Sequence, residues 1–261
     1  MLQGSHRSIH SHGFIGWDFA RDKKGSSKLF ESGIAKSLFA HQGQLVGLND
    51  CILFIDAEAI VIDKPAGLPV DTPRRGGDSI ASRLDELKCG FKRTPTPMHR
   101  LDMETSGCLL LARTPKSRAS FQRAFETRAV EKYYLAVVAA EIGEEEGVID
   151  LALQKRSSAE AGWKMVSDTH GANAVTRWRR LEVRDGSTLV EFQPLTGRTH
   201  QIRVHAREAF GRGIVGDRVY GVPGGPMLLH SVRLRVPRGG KAAIDVTAPL
   251  PDYFGKWRNA A

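Results

Sequence analysis

Cysteine is scarce in this sequence: Cys51, Cys89 and Cys108 are the only three, and none sits in a CxxC spacing. A disulfide framework and a cysteine-rich zinc site are both excluded as organising features, and reduced, mostly buried thiols are expected. Long apolar runs are missing as well. No stretch approaches the roughly 20 residues that a membrane-spanning helix needs, and the opening MLQGSHRSIHSHGF has no apolar signal-peptide core. Acid is the third deficit: 29 Asp+Glu face 38 Lys+Arg, a formal net charge of +9. That excess favours a polyanionic partner, nucleic acid or an anionic membrane surface, and charge alone does not choose between them. The 261 residues, 41% hydrophobic and 26% charged, can bury a core as one large domain or two small ones and are too apolar for a disordered chain. A soluble, cytoplasmic protein is expected.

Residues 1–48 are rich in Gly, Ser, His and Lys, lack Pro, and carry only a weak periodic stretch around Ile34 to Phe39. They read as an N-terminal extension, partly disordered, ahead of a body at 49–261. His6, His10 and His12 alternate in a way that could bind a metal, but a solvated tail is the plainer reading and no metal is expected.

From Cys51 the texture changes. CILFID and AIVID, separated by Asp56-Ala57-Glu58, predict a hairpin. KPAGLPVDTP breaks regular structure, after which Asp78 or Ser79 can cap a helix bearing Ile80, Leu84 and Leu87 on one face. Pro95 and Pro97 precede the loop MHRLDMETSG, which enters a buried strand, GCLLLAR. Thr114-Pro115 starts a helix with Phe121 and Phe125 on one face. VEKYYLAVVAA predicts a strand, GEEEG a solvated acidic turn, and residues 174–193 a hairpin about Asp185-Gly186. A second helix should begin at Thr199, with Ile202, Ala206 and Phe210 inward and His200, Arg203 and Arg207 on another face. MLLHSVRLRV and KAAIDVT close the chain as strands. The fold class is α+β: a mixed, largely antiparallel sheet with helices packed on it.

Two clusters carry chemistry. The loop His99 to Gly107 puts Asp102 at a sheet edge, and the run TGRTHQIRVH opens a helix rich in fixed positive charge. A lone loop aspartate is usually a cap or turn residue; an arginine brought beside it would favour its ionised form. Taken singly, Tyr134 reads as a core aromatic and Arg203 as a surface residue or ion-pair partner of an acid such as Glu208. His99, His200 and His205 read as structural hydrogen-bonding residues.

Together these motifs resemble the RluA-type pseudouridine synthases. HRLDMETSG is similar to the family's HRLDxxTSG loop, VIDKPAGLPV to its upstream strand-loop, EKYYLAVV to its tyrosine strand and TGRTHQIRVH to its arginine helix; GDRVYG, LLHSVRL and APLP follow in the family's order. The resemblance implies a fold with a central RNA-binding cleft and an isomerase that converts uridine in RNA to pseudouridine without cofactor or metal. By it, Asp102 is the catalytic aspartate, acting as nucleophile or through a glycal route. Arg203 pairs with and orients that aspartate, and Tyr134 lies against the uracil and helps remove the proton from carbon 5. Arg100 fills the gap left by the extruded nucleotide, and His99, Thr105 and Arg198 complete the implied substrate-binding set. Ribosomal RNA is the favoured substrate and transfer RNA the alternative, with a monomer expected.

The family's extra RNA-binding domain has no convincing counterpart in residues 1–48. Phosphate contacts are therefore expected from Arg74, Arg75, Lys116, Arg123, Arg177, Arg179 and Arg180 of the body. Two rival functions are a non-catalytic RNA-binding or ribosome-assembly factor of the same fold, and an aspartyl phosphatase suggested by DMET. The phosphatase fails because Glu104 replaces its second aspartate and PMHR stands where an apolar strand is needed.

Overall fold

The computed structural model describes residues 47–158 and 162–259, so His6, His10, His12 and the periodic stretch near Ile34 lie outside the described residues. The hairpin at the start of the body is β1 (Ile52–Ile55) and β2 (Ala59–Lys64). Asp56 makes its turn: its Oδ1 accepts the N–H groups of Glu58 and Ala59, both at 2.8 Å. Before it, Leu48 is fully buried and belongs to the main core cluster.

β2 pairs with β4 (Ser106–Ala112), whose seven residues are all buried, and the short β3 (Thr96–Pro97) pairs with β4 as well. Helix α1 (Pro115–Glu126) opens with a capping box in which Thr114 Oγ1 accepts from Ser117 N–H and Ser117 Oγ from Thr114 N–H. The rest of the main sheet is β5 (Glu131–Val138), β6 (Glu146–Asp150), β9 (Val175–Arg184), β10 (Ser187–Pro194), β11 (Leu229–Arg238) and β12 (Lys241–Thr247). The β9–β10 turn has Asp185 and Gly186 at φ 51° and 72°, the left-handed pair a tight hairpin demands. Strands β7 (Leu153–Ser158) and β8 (Gly162–Ser167) form a separate two-stranded sheet, and helix α2 (Gln201–Phe210) follows β10.

The strand order is β1-β2-β4-β11-β5-β10-β9-β6, with β12 also on β11. Every pairing is antiparallel except β4 with β11, which match in parallel only at Ser106–His230 and Gly107–Ser231. That junction joins the two halves of the sheet, and it depends on glycine. Gly107 has φ +105°, and a Cβ there would lie 2.3 Å from the Ser231 carbonyl oxygen. The loop that precedes β4 thus opens at the seam. On one face of the sheet, Ile60, Ile62, Leu109, Leu111, Tyr134, Trp178 and Phe192 pack with Ile202 and Ala206 of α2. On the other, Phe121 of α1 packs with Val61, Leu110 and Leu234.

The expected class, α+β with a mostly antiparallel sheet, is the observed one. Three details differ. The segment after Ser79 is a 3₁₀ helix (Ala81–Leu87), at whose start Ser79 Oγ accepts from Ser82 N–H at 3.0 Å. α2 begins at Gln201, because His200 takes a left-handed conformation (φ 53°, ψ 20°) that delays the helix. The strands β6, β7 and β8 follow the acidic turn in a stretch for which no element was expected, and Glu146 of GEEEG already belongs to β6.

A candidate active site at the seam of the sheet

The loop carrying Asp102 is pinned from below by Lys64 at the end of β2. Lys64 is fully buried, and its ammonium donates to the carbonyls of Pro65 (2.8 Å), Leu68 (2.8 Å) and Met103 (3.2 Å). Those contacts use all three of its donors. Burial pushes its pKa down to about 7, while the Asp102 and Asp63 carboxylates act the other way. Gly67 N–H also donates to Met103 O at 2.7 Å, and Thr105 N–H to Asp102 O at 3.1 Å. The backbone around Asp102 is fixed on both sides.

Its side chain is met by α2. Arg203, with its side chain 6% exposed, donates from Nη1 to Asp102 Oδ2 at 3.0 Å. The other edge of the guanidinium grips the fully buried Asp217, Nε to Oδ2 at 2.7 Å and Nη2 to Oδ1 at 2.8 Å. Burial opposes the charge on Asp217, but hydrogen bonds from Arg203 and the N–H groups of Val219 and Tyr220 hold its carboxyl below the usual range. Burial likewise opposes the Arg203 charge and is outweighed by Asp217 and Asp102, which raise its pKa further. The guanidinium is therefore a fixed cation with one fully buried anchor and one partly exposed partner, since Asp102 keeps 26% of its side chain exposed.

His200 stands beside the pair, Nε2 3.9 Å from Asp102 Oδ1. Tyr220 OH lies 2.8 Å from its Nδ1 and accepts from Met165 N–H at 2.9 Å. The tyrosine's own proton is thus available to Nδ1, an arrangement that leaves Nε2–H facing the carboxylate. Burial depresses the His200 pKa although Asp102 raises it.

Asp102 opens into a cleft of about 870 Å³. The Asp102 loop lines it from one half of the sheet and residues 194–203 from the other, and β5 contributes Lys132 and Tyr134. Its ionisable lining includes five basic residues (Arg100, Arg128, Lys132, Arg198, Arg203) against Asp71, Asp102 and Glu126, which suits a polyanion. Tyr134 is 8% exposed, and burial raises its phenol well above its ordinary pKa, with the Ser231 hydroxyl acting the other way. Its hydroxyl keeps its proton.

The structure brings Asp102, Arg203, Tyr134, Arg100, His99, Thr105 and Arg198 to this one cleft. Their engagements differ. Arg100 is 73% exposed at the rim, 3.1 Å from Asp71. Arg198 is also exposed, its Nε donating to Asn173 O at 2.9 Å. Thr105 is buried. His99 Nε2 accepts the Leu110 N–H at 3.1 Å, and burial drives its pKa to about 3, so it is a neutral residue committed to β4. Sequence reasoning passed over Lys64 and Asp217. Both sit in motifs already singled out, VIDKPAG and GDRVYG, and a charge inside an apolar run was the signal.

The arginines of β9 are a correction. Trp178 packs on the same face as Tyr134, so the alternating Arg177 and Arg179 project from the opposite face, where Arg179 pairs with Glu191 at 3.1 Å. Arg180 is half-buried and donates to the carbonyls of Ile142 and Gly143. Among the described residues no group of three His, Cys, Asp or Glu is placed to hold a metal ion.

Residues 58–208 match the family model described as RNA pseudouridylate synthase, more than half of the chain. The chain is a pseudouridine synthase of the RluA type. A Zymomonas mobilis protein named as an RNA pseudouridine synthase is 48% identical over 78% of this chain and 94% of its own length. The ribosomal large subunit pseudouridine synthase C of Rickettsia bellii is 33% identical over 80% of this chain and 71% of its own. The solved structure of human RNA pseudouridylate synthase domain containing 4 superposes with a TM-score of 0.67 at 28% identity, covering 79% of this chain and 91% of that one. As a pseudouridine synthase the protein is an isomerase, and its reaction converts uridine within RNA to pseudouridine.

Proposed function

We propose that Asp102 is the catalytic residue for this isomerisation and that the cleft receives one uridine turned out of a structured RNA. The observation that carries the reading is a partly exposed carboxylate held at 3.0 Å by a buried guanidinium in the cavity that Tyr134 also lines. Breaking a glycosidic bond builds positive charge on the sugar, so a carboxylate aimed at carbon 1′ either adds to it or stabilises it. Arg203 is the positioning residue, since its two bonds to Asp217 leave only one edge free for Asp102. Extruding a base from a stack costs a few kcal/mol; an aromatic face returns about 1–3 kcal/mol of that, which is the role given to Tyr134. Arg100, exposed at the rim, enters the space that the uridine leaves. Thr105 holds the Asp102 backbone through its N–H, and Arg198 supplies rim charge.

Ribosomal RNA is the substrate we favour, in keeping with the printed name of the Rickettsia relative. Residues 49–261 are read as one catalytic domain working as a cytoplasmic monomer, and among the described residues the core begins one position earlier, at Leu48. The test is to incubate the protein with unmodified transcripts of ribosomal and transfer RNA and map pseudouridine along each. Product at a defined ribosomal uridine supports the reading. Product in transfer RNA alone overturns the substrate choice, and product in neither overturns the catalytic role.

A further inference from the structure

The β7–β8 hairpin pairs with no strand of the main sheet; it leans on α2 and Tyr220. Leu153 and Met165 pack with Val204, and on the same face Trp163 projects beyond them. Its indole stacks on His200, ring centroids 5.2 Å apart and planes at 20°, yet 47% of the residue remains exposed. Lys155 also lies over that ring, its ammonium 4.8 Å from the centroid and without an acidic partner among the described residues.

Folding alone gives no reason for this exposure. Packing the hairpin on α2 is done by Leu153 and Met165, and an indole left half in water forfeits much of its hydrophobic gain. The location does give one: His200, against which the ring lies, is 3.9 Å from the Asp102 carboxylate, so the indole lies one imidazole away from the reacting position.

We infer that Trp163 is a stacking platform for an unpaired RNA base flanking the target uridine, with Lys155 released from the ring to that nucleotide's phosphate. The position of the target rests on the function proposed above. A surface cation over an aromatic ring is a weaker contact than a stacked base, so an arriving nucleotide displaces the lysine and then meets its charge. The occupant is single-stranded because a base inside a helix has both faces covered by its stacked neighbours, and any base can stack, so the platform sets position without reading sequence.

The test uses the full chain and a fluorescently labelled single-stranded oligouridylate, with thermal unfolding as a check on folding. Trp163→Ala should weaken binding by about 5- to 150-fold, the range a single stacked base supplies. Trp163→Phe should keep most of the affinity and lose the quenching of tryptophan emission that the oligonucleotide causes in the natural protein. Lys155→Ala should lower the slope of log affinity against log salt by about 0.7, one phosphate's worth on a single strand. Undiminished affinity in folded Trp163→Ala overturns the inference. If that variant does not fold, quenching that persists in Trp163→Phe overturns it. Absence of pseudouridine from the natural protein's RNA would instead strike the proposed function, and would leave the quenching result standing.

Discussion

Replacing Asp217 with alanine isolates the element on which the site's geometry rests. The carboxylate is fully buried and accepts four N–H groups, two from Arg203 at 2.7 and 2.8 Å and one each from Val219 and Tyr220 at 2.9 and 3.1 Å. Alanine leaves the guanidinium buried with Asp102 as its one carboxylate partner among the described residues and the Tyr220 ring beside it. Breaking a buried ion pair from one side costs about 3–5 kcal/mol, and in a domain of 150–250 residues each kcal/mol lowers Tm by about 2–4 °C. A fall of roughly 6–20 °C is therefore expected in thermal unfolding. Arg203 would also turn toward Asp102 or solvent, so the residual folded enzyme should lose kcat more than KM. Replacing both partners, Asp217→Leu with Arg203→Met, should restore much of the stability and none of the activity, because a well-packed apolar pair removes the desolvation cost. A Tm within about 2 °C of the natural protein, with kcat unchanged, would refute the buried-anchor argument.

The remaining predictions concern the seam and the loop. Gly107→Ala forces a Cβ to 2.3 Å from the Ser231 carbonyl oxygen at a positive φ, so the β4–β11 junction must open; loss of soluble protein, or more than about 3 kcal/mol in urea unfolding, is expected. Lys64→Met strips the donor from three carbonyls, at about 1–3 kcal/mol for each that water cannot reach, and should lower both Tm and the single-turnover rate. Burial holds His99 and His230 neutral down to about 3 and about 4, whereas in the unfolded chain both take up protons near the ordinary histidine value of about 6.5. Stability is thus fully present above pH 6.5 and falls as pH drops toward 4 and 3, by up to about 1.4 kcal/mol per pH unit for each histidine. His99→Gln should remove one proton's share of that slope in urea titrations between pH 4.5 and 7.

Much of this was legible in the chain because local chemistry agreed with the final fold. Asp56 and Asp185-Gly186 carry turn chemistry that works in isolation, and Thr114 with Pro115 starts a helix by itself. The two site motifs were legible for the same reason, a proline-bounded loop and a charged helix opening. Their meeting was expected from the resemblance alone and not from local chemistry. Asp102 and Arg203 are 101 positions apart, and they meet through the β4–β11 junction, which joins the halves of the sheet, and the packing of α2 on the sheet core. Strands β7 and β8 were missed because LQKRSS is polar after its first residue and GWKMVS alternates only across Trp163 and Met165; their packing draws on α2 and Tyr220. His200 delays α2 because its ring is held by Trp163 and Tyr220, a tertiary constraint that overrides helix propensity. The β9 arginines were misplaced because a strand's period of two sets which face each residue takes, while only the assembled core says which face the cleft shares.

The account turns on one carboxylate, and a single substitution reaches it. Asp102→Asn keeps the side chain's size and a hydrogen bond to Arg203 and removes the charge. Measured by tritium release from RNA labelled at uridine carbon 5, the variant should form no product while binding the same RNA with little change in affinity. Product formation at the natural rate would contradict the central claim outright.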